Sequence, residues 1–554
     1  MTATARPTEQ PSPRSADDPA VPPESTAPGD DPSRDDVPTL RARLFPPGAW
    51  WTTDRFWGWC GPAIIAAIGG FLRFWRLDQP PGLNFDEAYY VRQAYSLLRW
   101  GVEFKWISPS DSPDKAVDMW NNGQVDEIWT NEPDSVTHPP LGKWMIAIGE
   151  GIFGGDNRFG WRFGVALFGT LSILMLARIA RRLFSSTVLG CTAGILLAVD
   201  GQHFTHSRTA LLDLPLMFWV LAGFGLLIID HDRATAAFRE RVESGKPLTW
   251  YWGGLWLLLR PWRLAAAACF GLSIGVKISA VPFLGAFMLA TVLWDLATLR
   301  SLGVRHRWGW LVANGVPTGI TMGLAAVVAF LSTWTAWFIS TKGSDRYWGE
   351  DNPEGWGAGI LPNALRSLFH YTWAVNDAAK GITSPHAWES NPWSWMPQAR
   401  PTMFWLDQGV KGCGTSSCTQ AVDNLGNPVV WWGGTLALFV LLFCWALRRD
   451  WRAGAILAGV AAGYLPWFMF QERTIFTFYS VSFVPWVVLG LTYVLGLLLG
   501  RSDASPDRRY RGAVAAGSVV LLAVACFAYL YPILSADIIP TAEFDSRMWL
   551  PSWR

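Results

Sequence analysis

The chain has 554 residues, of which 51% are hydrophobic and only 16% are charged, and its formal net charge at pH 7 is +1. Soluble domains usually carry about 25% charged residues, so much of this surface is not expected to face water. The small net charge argues against a nucleic-acid-binding protein, which would show a basic excess, and the 36 Trp residues favour many membrane–water boundaries.

The first segment, residues 1–45, is rich in Pro, Ser, Thr and Asp and nearly free of aromatic residues. Such a segment cannot bury enough apolar area to offset the entropy of ordering it. It also lacks the basic start and apolar core of a signal peptide. We therefore predict a disordered tail that stays in the cytoplasm.

Apolar stretches recur along the rest of the chain, and a membrane-spanning helix needs roughly 20 mainly apolar residues. The predicted spans are 57–76, 160–178, 187–200, 210–229, 262–277, 279–298, 309–338, 429–447, 453–470, 475–499 and 511–533. The fold class is therefore an all-α polytopic membrane protein with about eleven transmembrane helices. The transmembrane domain covers 46–533, and a short C-terminal tail, 534–554, follows it outside.

Lys and Arg in the short connections predict the orientation, because cytoplasmic loops carry an excess of both. With the N-terminus inside, the connections 178–184, 230–263, 301–307, 448–452 and 501–511 are all basic and cytoplasmic. Two long connections, the first long loop (77–158) and the second long loop (339–428), are then outside. The sequence shows no internal repeat, which weakens a transporter interpretation.

The first long loop opens with an acidic pair, Asp86 and Glu87. The stretch that follows has apolar residues at helical spacing with Tyr and Trp at its edges, so an interfacial helix is expected there. Two explanations of the pair remain open. Acidic residues stabilise the N-terminus of a helix, or one carboxylate serves as a base beside the lipid headgroups.

The same loop ends in the motif HPPLGK, which contains His138 and Lys143. Pro disfavours helix in the preceding residue, so an extended turn should lead into a second interfacial helix from about Leu141. A cation near a helix N-terminus is unfavourable. Lys143 therefore indicates either a fixed anionic partner or a side chain that snorkels to the interface.

Isolated charges recur at the outer ends of the predicted helices, where they are costly and usually face an interior partner. For Asp213, a partner such as Arg208 or Arg162 is expected. His203 and His206 could suggest a metal, but a pair at this spacing without a third ligand is a weak signal. The full set at the outer boundary is Asp86, Glu87, Lys143, Arg158, Arg162, Arg208, Asp213, Lys277 and Arg473.

Two of the seven Cys residues, Cys413 and Cys418, lie in a polar stretch of the second long loop. Their spacing is not that of a familiar zinc site. A disulfide in an oxidising compartment is the prediction.

Several motifs together resemble the protein O-mannosyltransferase family (GT39), in its bacterial, actinobacterial-type form. They are LRFWRLDQPPGLNFDEAYY, THPPLGKW, WRFGVALFGTL, SRTALLDLPLMFW, GLSIGVKISAVP, ESNPWSWMP and RTIFTFYSVSFVPW, and they occur in family order from about residue 70 to 490. The eukaryotic members carry a large β-trefoil insertion in a long outer loop, and 339–428 is too short to hold one.

The resemblance implies a GT-C glycosyltransferase of the plasma membrane that needs no metal or cofactor. It would transfer mannose from polyprenyl-phosphate-mannose, with inversion, to Ser or Thr of secreted proteins or lipoproteins. The Sec translocon is a candidate route for delivery of these acceptors. Asp86 is the implied general base, and Glu87 helps to shape the site or hold the acceptor. Lys277, Arg473 and either Arg162 or Arg158 are the implied donor-phosphate cations, with His138, Lys143, Arg208 and Asp213 shaping the site.

Two other functions remain open from the residues. One is a GT-C transferase that uses a polyprenyl-phosphate sugar to modify a glycolipid. The other is a lipid-linked sugar flippase or transporter. Sugar transfer to a peptide would distinguish a protein mannosyltransferase from a glycolipid transferase and from a flippase or transporter.

Overall fold

The structure, a computed structural model, describes residues 53–107, 115–246, 259–304, 308–500 and 503–554. The predicted tail, 1–45, lies outside these residues, as do parts of three of the basic connections. The residues from Asp54 to Arg554 form one compact unit.

Helices make up most of this unit. In chain order they are α1 (Asp54–Phe74), α2 (Glu87–Trp100), α3 (Lys115–Asn121), α4 (Leu141–Phe153), α5 (Arg158–Phe184), α6 (Thr187–Ala198), α7 (Gly201–His206), α8 (Asp213–Glu243), α9 (Pro261–Ile274), α10 (Val281–Ser301), α11 (Val316–Thr333), α12 (Thr335–Ile339), α13 (Trp348–Asp351), α14 (Asn363–Lys380), α15 (Pro428–Arg448), α16 (Trp451–Tyr464), α17 (Val484–Leu499), α18 (Pro506–Leu534) and α19 (Thr541–Arg547). Short 3₁₀ turns at Ile278–Ala280, Leu465–Met469 and Thr477–Phe483 adjoin α10, α16 and α17.

Each of the eleven predicted spans contains a helix, which confirms their helical assignment. Among the described residues, seven helices, with adjoining turns, are long and apolar enough to cross a membrane. They are Arg158–Phe184, Asp213–Glu243, Ile278–Ser301, Leu311–Thr333, Pro428–Arg448, Thr477–Leu499 and Pro506–Leu534. The other four predicted spans correspond to α1, α6, α9 and α16, of which the last three have only 12, 14 and 14 residues.

In the described part of the chain, two small antiparallel sheets accompany the helices, and the sequence did not predict them. In the first long loop, β1 (Phe104–Trp106) pairs with β2 (Trp129–Pro133). The second sheet has the order β3 (Thr402–Val410), β4 (Cys418–Asn424), β5 (Ile538–Pro540). Met403 pairs with Asp423 and Thr419 with Ile539, so the C-terminal segment 534–554 joins the second long loop in one sheet.

Both predicted interfacial helices are present as helices. The first is α2, which ends at Gly101 in a left-handed conformation with φ of 77°. The second is α4, which begins at Leu141 as predicted. A Cβ on Gly149 would collide with the carbonyl of Gly160, so the absence of side chains lets α4 lie directly against α5. This close contact brings the first long loop onto the end of α5.

Candidate active site

The acidic pair lies where the first long loop turns into α2. Asp86 is the residue before the helix, but its side chain makes no capping hydrogen bond. Asp86 is therefore not a hydrogen-bonding cap, although its charge still lies at the N-terminus of α2. Instead, the Tyr90 hydroxyl, one helical turn later, lies 3.4 Å from Asp86 Oδ2 and donates to it.

The environment of Asp86 favours its protonated form more than water would. Burial raises the pKa of Asp86 to about 6, while the positive charge of Lys277 acts to lower it and the negative charge of Asp213 acts to raise it. The carboxyl of Asp86 is thus close to both Lys277 and Asp213. A carboxylate with a pKa near neutrality is suited to accept a proton.

Glu87 has a different environment from its neighbour. It is completely buried, and its two oxygens accept hydrogen bonds from Arg162 Nε and Nη2, both at 2.8 Å. The backbone N–H groups of Asn84 and Ala210 also donate to this carboxylate. Because its oxygens are taken up in this way, Glu87 holds the turn that carries Asp86 and has no free oxygen for an acceptor.

Arg162 is equally occupied, which corrects its assignment to the donor phosphate. Besides Glu87, its guanidinium donates to the carbonyls of Leu77, Pro80 and Gly82 at 3.0–3.3 Å. The side chain is completely buried. Arg162 therefore fixes the start of the first long loop and presents no free donor to a phosphate.

Asp213 pairs with Lys277, which is a second correction. Lys277 Nζ lies 3.0 and 3.1 Å from the two carboxylate oxygens, and both residues are buried. The partner expected from the sequence, Arg208, instead donates to the backbone carbonyls of Leu72, Arg73, Trp75 and Arg76. Arg208 thus closes the end of α1 and does not neutralise Asp213.

The two residues singled out in HPPLGK have separate surroundings. Lys143 Nζ lies 2.5 Å from Glu103 Oε1, with the lysine fully buried, so the predicted anionic partner is present. The ring of His138 lies 5.9 Å from that of Tyr90. Burial, with the nearby charges of Lys277, Lys143 and Arg473, keeps the pKa of His138 well below its usual range. His138 is therefore a neutral group beside Tyr90.

A cavity of about 510 Å³ opens beside the Asp213–Lys277 pair. Its walls are mainly apolar and come from α8, α10, α14, α16 and the turn before α17. The polar and charged groups among them include Asp213, Asn376, Lys380, Arg473 and Tyr479. This combination fits a ligand with a long apolar part and an anionic end.

Arg473 lines this cavity, whereas Arg158 does not. The Nε of Arg473 is buried and has no hydrogen-bond partner among the described residues, so it retains an unused donor. Arg158 is the first residue of α5, is half-buried and does not contribute to the cavity wall. Of the two predicted cations on α5, neither is placed at the cavity.

His203 and the cysteine pair are engaged within the protein, whereas His206 contacts the Gln202 carbonyl through Nδ1 alone and its Nε2 has no hydrogen-bond partner among the described residues. His203 Nδ1 lies 2.8 Å from Arg73 and its Nε2 lies 2.8 Å from Ser172, so both ring nitrogens have protein partners. Cys413 and Cys418 form the predicted disulfide.

Sequence reasoning missed three residues of this region. Tyr90 carries the hydroxyl on Asp86, and its position four residues after Asp86 could have indicated this contact. The ring of Tyr479 lies 5.1 Å from Lys277 Nζ, a contact between distant segments that left no local signal. Glu103, the partner of Lys143, lies in an ordinary loop sequence.

Comparison with known proteins agrees with these motifs. A family model described as the C-terminal four-transmembrane region of protein O-mannosyltransferase matches residues 364–553. A second, described as dolichyl-phosphate-mannose-protein mannosyltransferase, matches residues 137–237.

Relatives cover nearly the whole chain. A polyprenol-phosphate-mannose–protein mannosyltransferase of Mycobacterium tuberculosis is 36% identical over 97% of this chain and 100% of its own length. One of Mycolicibacterium smegmatis is 35% identical over 92% of this chain and 96% of its own length. Among solved structures, the Saccharomyces cerevisiae protein O-mannosyltransferase Pmt1–Pmt2 complex bound to the sugar donor has a similar fold. Its TM-score is 0.65 at 14% identity, covering 89% of this chain and 92% of that one.

Proposed function

The chain belongs to the protein O-mannosyltransferase family, and we propose that it transfers mannose from polyprenyl-phosphate-mannose to Ser or Thr hydroxyls of exported proteins. It is a multi-pass membrane protein of the GT-C fold. The proposal assigns the apolar cavity to the polyprenyl donor and the carboxyl of Asp86 to the acceptor hydroxyl.

The observation that carries this assignment is the composition of the cavity. Its largely apolar wall includes Arg473 and Asp213, the ion-pair partner of Lys277. Asp86 lies close enough to Lys277 and Asp213 for their charges to affect its pKa. A hydrocarbon tail, a phosphate and a nucleophilic hydroxyl would therefore each meet a group of matching chemistry.

The reaction follows from these positions. Asp86 accepts the proton of the Ser or Thr hydroxyl as the hydroxyl oxygen bonds to the anomeric carbon of mannose. The bond from that carbon to the phosphate oxygen breaks on the opposite face, and its electron pair leaves with the polyprenyl phosphate. Arg473 and Lys277 stabilise the charge on the departing phosphate. A single displacement inverts the anomeric centre, so a β-linked donor gives an α-mannoside.

Three of the predicted residues act in this proposal by holding the site. Glu87 and Arg162 fix the turn before α2, and Lys143 pairs with Glu103 within the first long loop. Of the cations predicted at the donor phosphate, Arg473 and Lys277 keep that role in the proposal.

We also propose that the site lies on the outer face of the plasma membrane, with the N-terminus in the cytoplasm. The basic connections support this orientation. In intact cells, a membrane-impermeant maleimide should label the Trp393→Cys variant, whose position is 71% exposed in the second long loop. Glu240→Cys, exposed on the basic side of α8, is the matched control and should be protected. The opposite labelling pattern would reverse the orientation.

The acceptors in this proposal are secreted proteins and lipoproteins. Delivery by the Sec translocon would present their Ser and Thr hydroxyls before folding buries them. Depleting translocon activity should then abolish mannosylation of newly made acceptors while a soluble peptide is still modified. Equal loss of both would remove the translocon from the proposal.

The activity itself is tested with purified protein, polyprenyl-phosphate-mannose labelled in the sugar, and a Ser/Thr-containing peptide. The proposal predicts label in the peptide, released by β-elimination from the hydroxyl. Label that appears only in lipid would show a glycolipid transferase. Movement of the intact donor across vesicles without transfer would show a flippase.

A further inference from the structure

Phe85, the residue before Asp86, has an unusual backbone conformation. Its φ is +47°, in the left-handed region that non-glycine residues seldom adopt. Such a conformation persists only where the surrounding structure imposes it, and it is concentrated at functional sites. The contacts that hold Phe85 therefore also fix the direction of the next residue, Asp86.

The side chain of Phe85 lies in an aromatic cluster, defined here as Phe85, His386, Phe404, Phe476 and Phe478. Its ring stacks on Phe404, with ring centres 4.9 Å apart and planes at 26°. It meets Phe478 edge to face at 5.4 Å, and Phe476 at 6.2 Å. His386 lies 6.4 Å away, also edge to face. These geometries are the favourable ones for aromatic pairs.

The aromatic cluster joins three separate parts of the chain. Phe85 belongs to the first long loop, and His386 and Phe404 belong to the second. Phe476 and Phe478 precede α17 and follow Arg473 by only a few residues. The Phe85 ring is thus packed against the segment that carries the donor-site cation.

The contacts continue from the aromatic cluster to Lys277, which pairs with Asp213. Phe478 lies 4.6 Å from the ring of Tyr479, and Lys277 Nζ lies 5.1 Å from the same ring. On the other side of Asp86, the carboxylate of Glu87 is fixed by Arg162. Among the described residues, the carboxyl of Asp86 accepts one hydrogen bond, from the Tyr90 hydroxyl at 3.4 Å. Its neighbours, more than its own contacts, determine where its carboxyl points.

We propose that Phe85 is a positioning residue. Its ring holds the backbone of Asp86 at a fixed position relative to the segment that carries Arg473 and Tyr479. The proposal rests on the mannosyl transfer described above. Phe85 does not need to touch either substrate in this role. Because a displacement of about 1 Å at a reacting group can cost 100-fold in rate, loss of the ring should affect turnover far more than donor binding.

The experiment compares Phe85→Ala, Phe85→Gly and Phe85→Tyr in the full chain. The Ala variant should lower kcat by about 10- to 100-fold and leave the donor KM unchanged. The Tyr variant, which keeps the ring, should restore turnover. The Gly variant adopts φ of +47° without strain but lacks the ring, so it should be as slow as Ala even if Ala folds poorly.

A matched control is Phe168→Ala. Phe168 contacts Phe218 with ring centres 4.9 Å apart, away from the cavity and the cluster. This control should leave kcat unchanged. Turnover at the wild-type rate in Phe85→Gly, or an effect confined to the acceptor KM, would overturn the positioning role.

Amide hydrogen exchange separates this proposal from the proposed function. The amides of residues 84–90 should exchange faster in Phe85→Gly than in wild type or in Phe168→Ala. Unchanged exchange there would overturn the proposal. If wild type transferred no mannose to peptide, the proposed function would fail, and the exchange rates would still decide whether the ring holds this turn.

Discussion

Glu87 and Arg162 form a completely buried ion pair through two hydrogen bonds of 2.8 Å, directly beside Asp86. The two adjacent acids therefore do different work. Glu87 is committed to the fold, whereas Asp86 makes one long contact with Tyr90 and remains open to a substrate.

Substitution of Glu87 should therefore act mainly on stability. Glu87→Gln leaves the Arg162 charge buried without its partner, which costs about 3–5 kcal/mol. The unfolding temperature in detergent should fall clearly relative to wild type. Asp86→Asn, the neighbouring control, should unfold at or above the wild-type temperature because it removes a desolvated carboxyl. Equal unfolding temperatures for the two variants would contradict this division of roles.

Substitution of Asp86 should act on chemistry. Asp86→Asn removes the proposed base and should lower kcat by about 10²- to 10⁴-fold, the usual contribution of general base catalysis. Tyr90→Phe loses only a contact of 3.4 Å and should have a much smaller effect. Both are measured by transfer of labelled mannose to peptide. Near-normal turnover in a folded Asp86→Asn protein would eliminate Asp86 as the base.

The pH dependence of transfer should reflect the raised pKa of Asp86, which is about 6. The base acts when it is ionised, so activity should be full above this pH and fall about tenfold per pH unit below it. Since the charge of Lys277 lowers the pKa of Asp86, Lys277→Ala should move the acidic limb to higher pH. Asp213→Asn should move it the other way. A profile that stays flat down to pH 4.5 would exclude Asp86.

Donor binding should depend on the cations at the cavity. A hydrogen bond to a charged group contributes about 1.5–3 kcal/mol, so Arg473→Ala should raise the donor KM by roughly 10- to 100-fold. Lys277→Ala should also raise it, although part of its charge is already neutralised by Asp213. Arg158→Ala lies outside the cavity wall and should leave the donor KM unchanged. The reverse order of effects would move the phosphate site to α5.

Local patterns in the sequence were sufficient to predict the helices and the disulfide. The eleven apolar segments, the start of α4 at Leu141 and the Cys413–Cys418 disulfide follow from composition, proline positions and short spacing, and all are present. These features depend on residues that are near neighbours in the chain. The resemblance of the motifs to a family was likewise readable from short stretches, and the relatives confirm it.

The partners of the buried charges could not be read in this way. A lone charge in an apolar segment indicates that some partner exists, but Asp213 lies 64 residues from Lys277, and Glu87 lies 75 residues from Arg162. Which of several cations reaches a given carboxylate depends on the packing of the helices and on which backbone carbonyls they leave unpaired. The sequence thus singled out a set of charged residues at the predicted outer ends of the helices. Only the tertiary structure separated those that hold the fold, such as Glu87, Arg162 and Arg208, from Asp86 and Arg473, whose side chains retain capacity for a ligand.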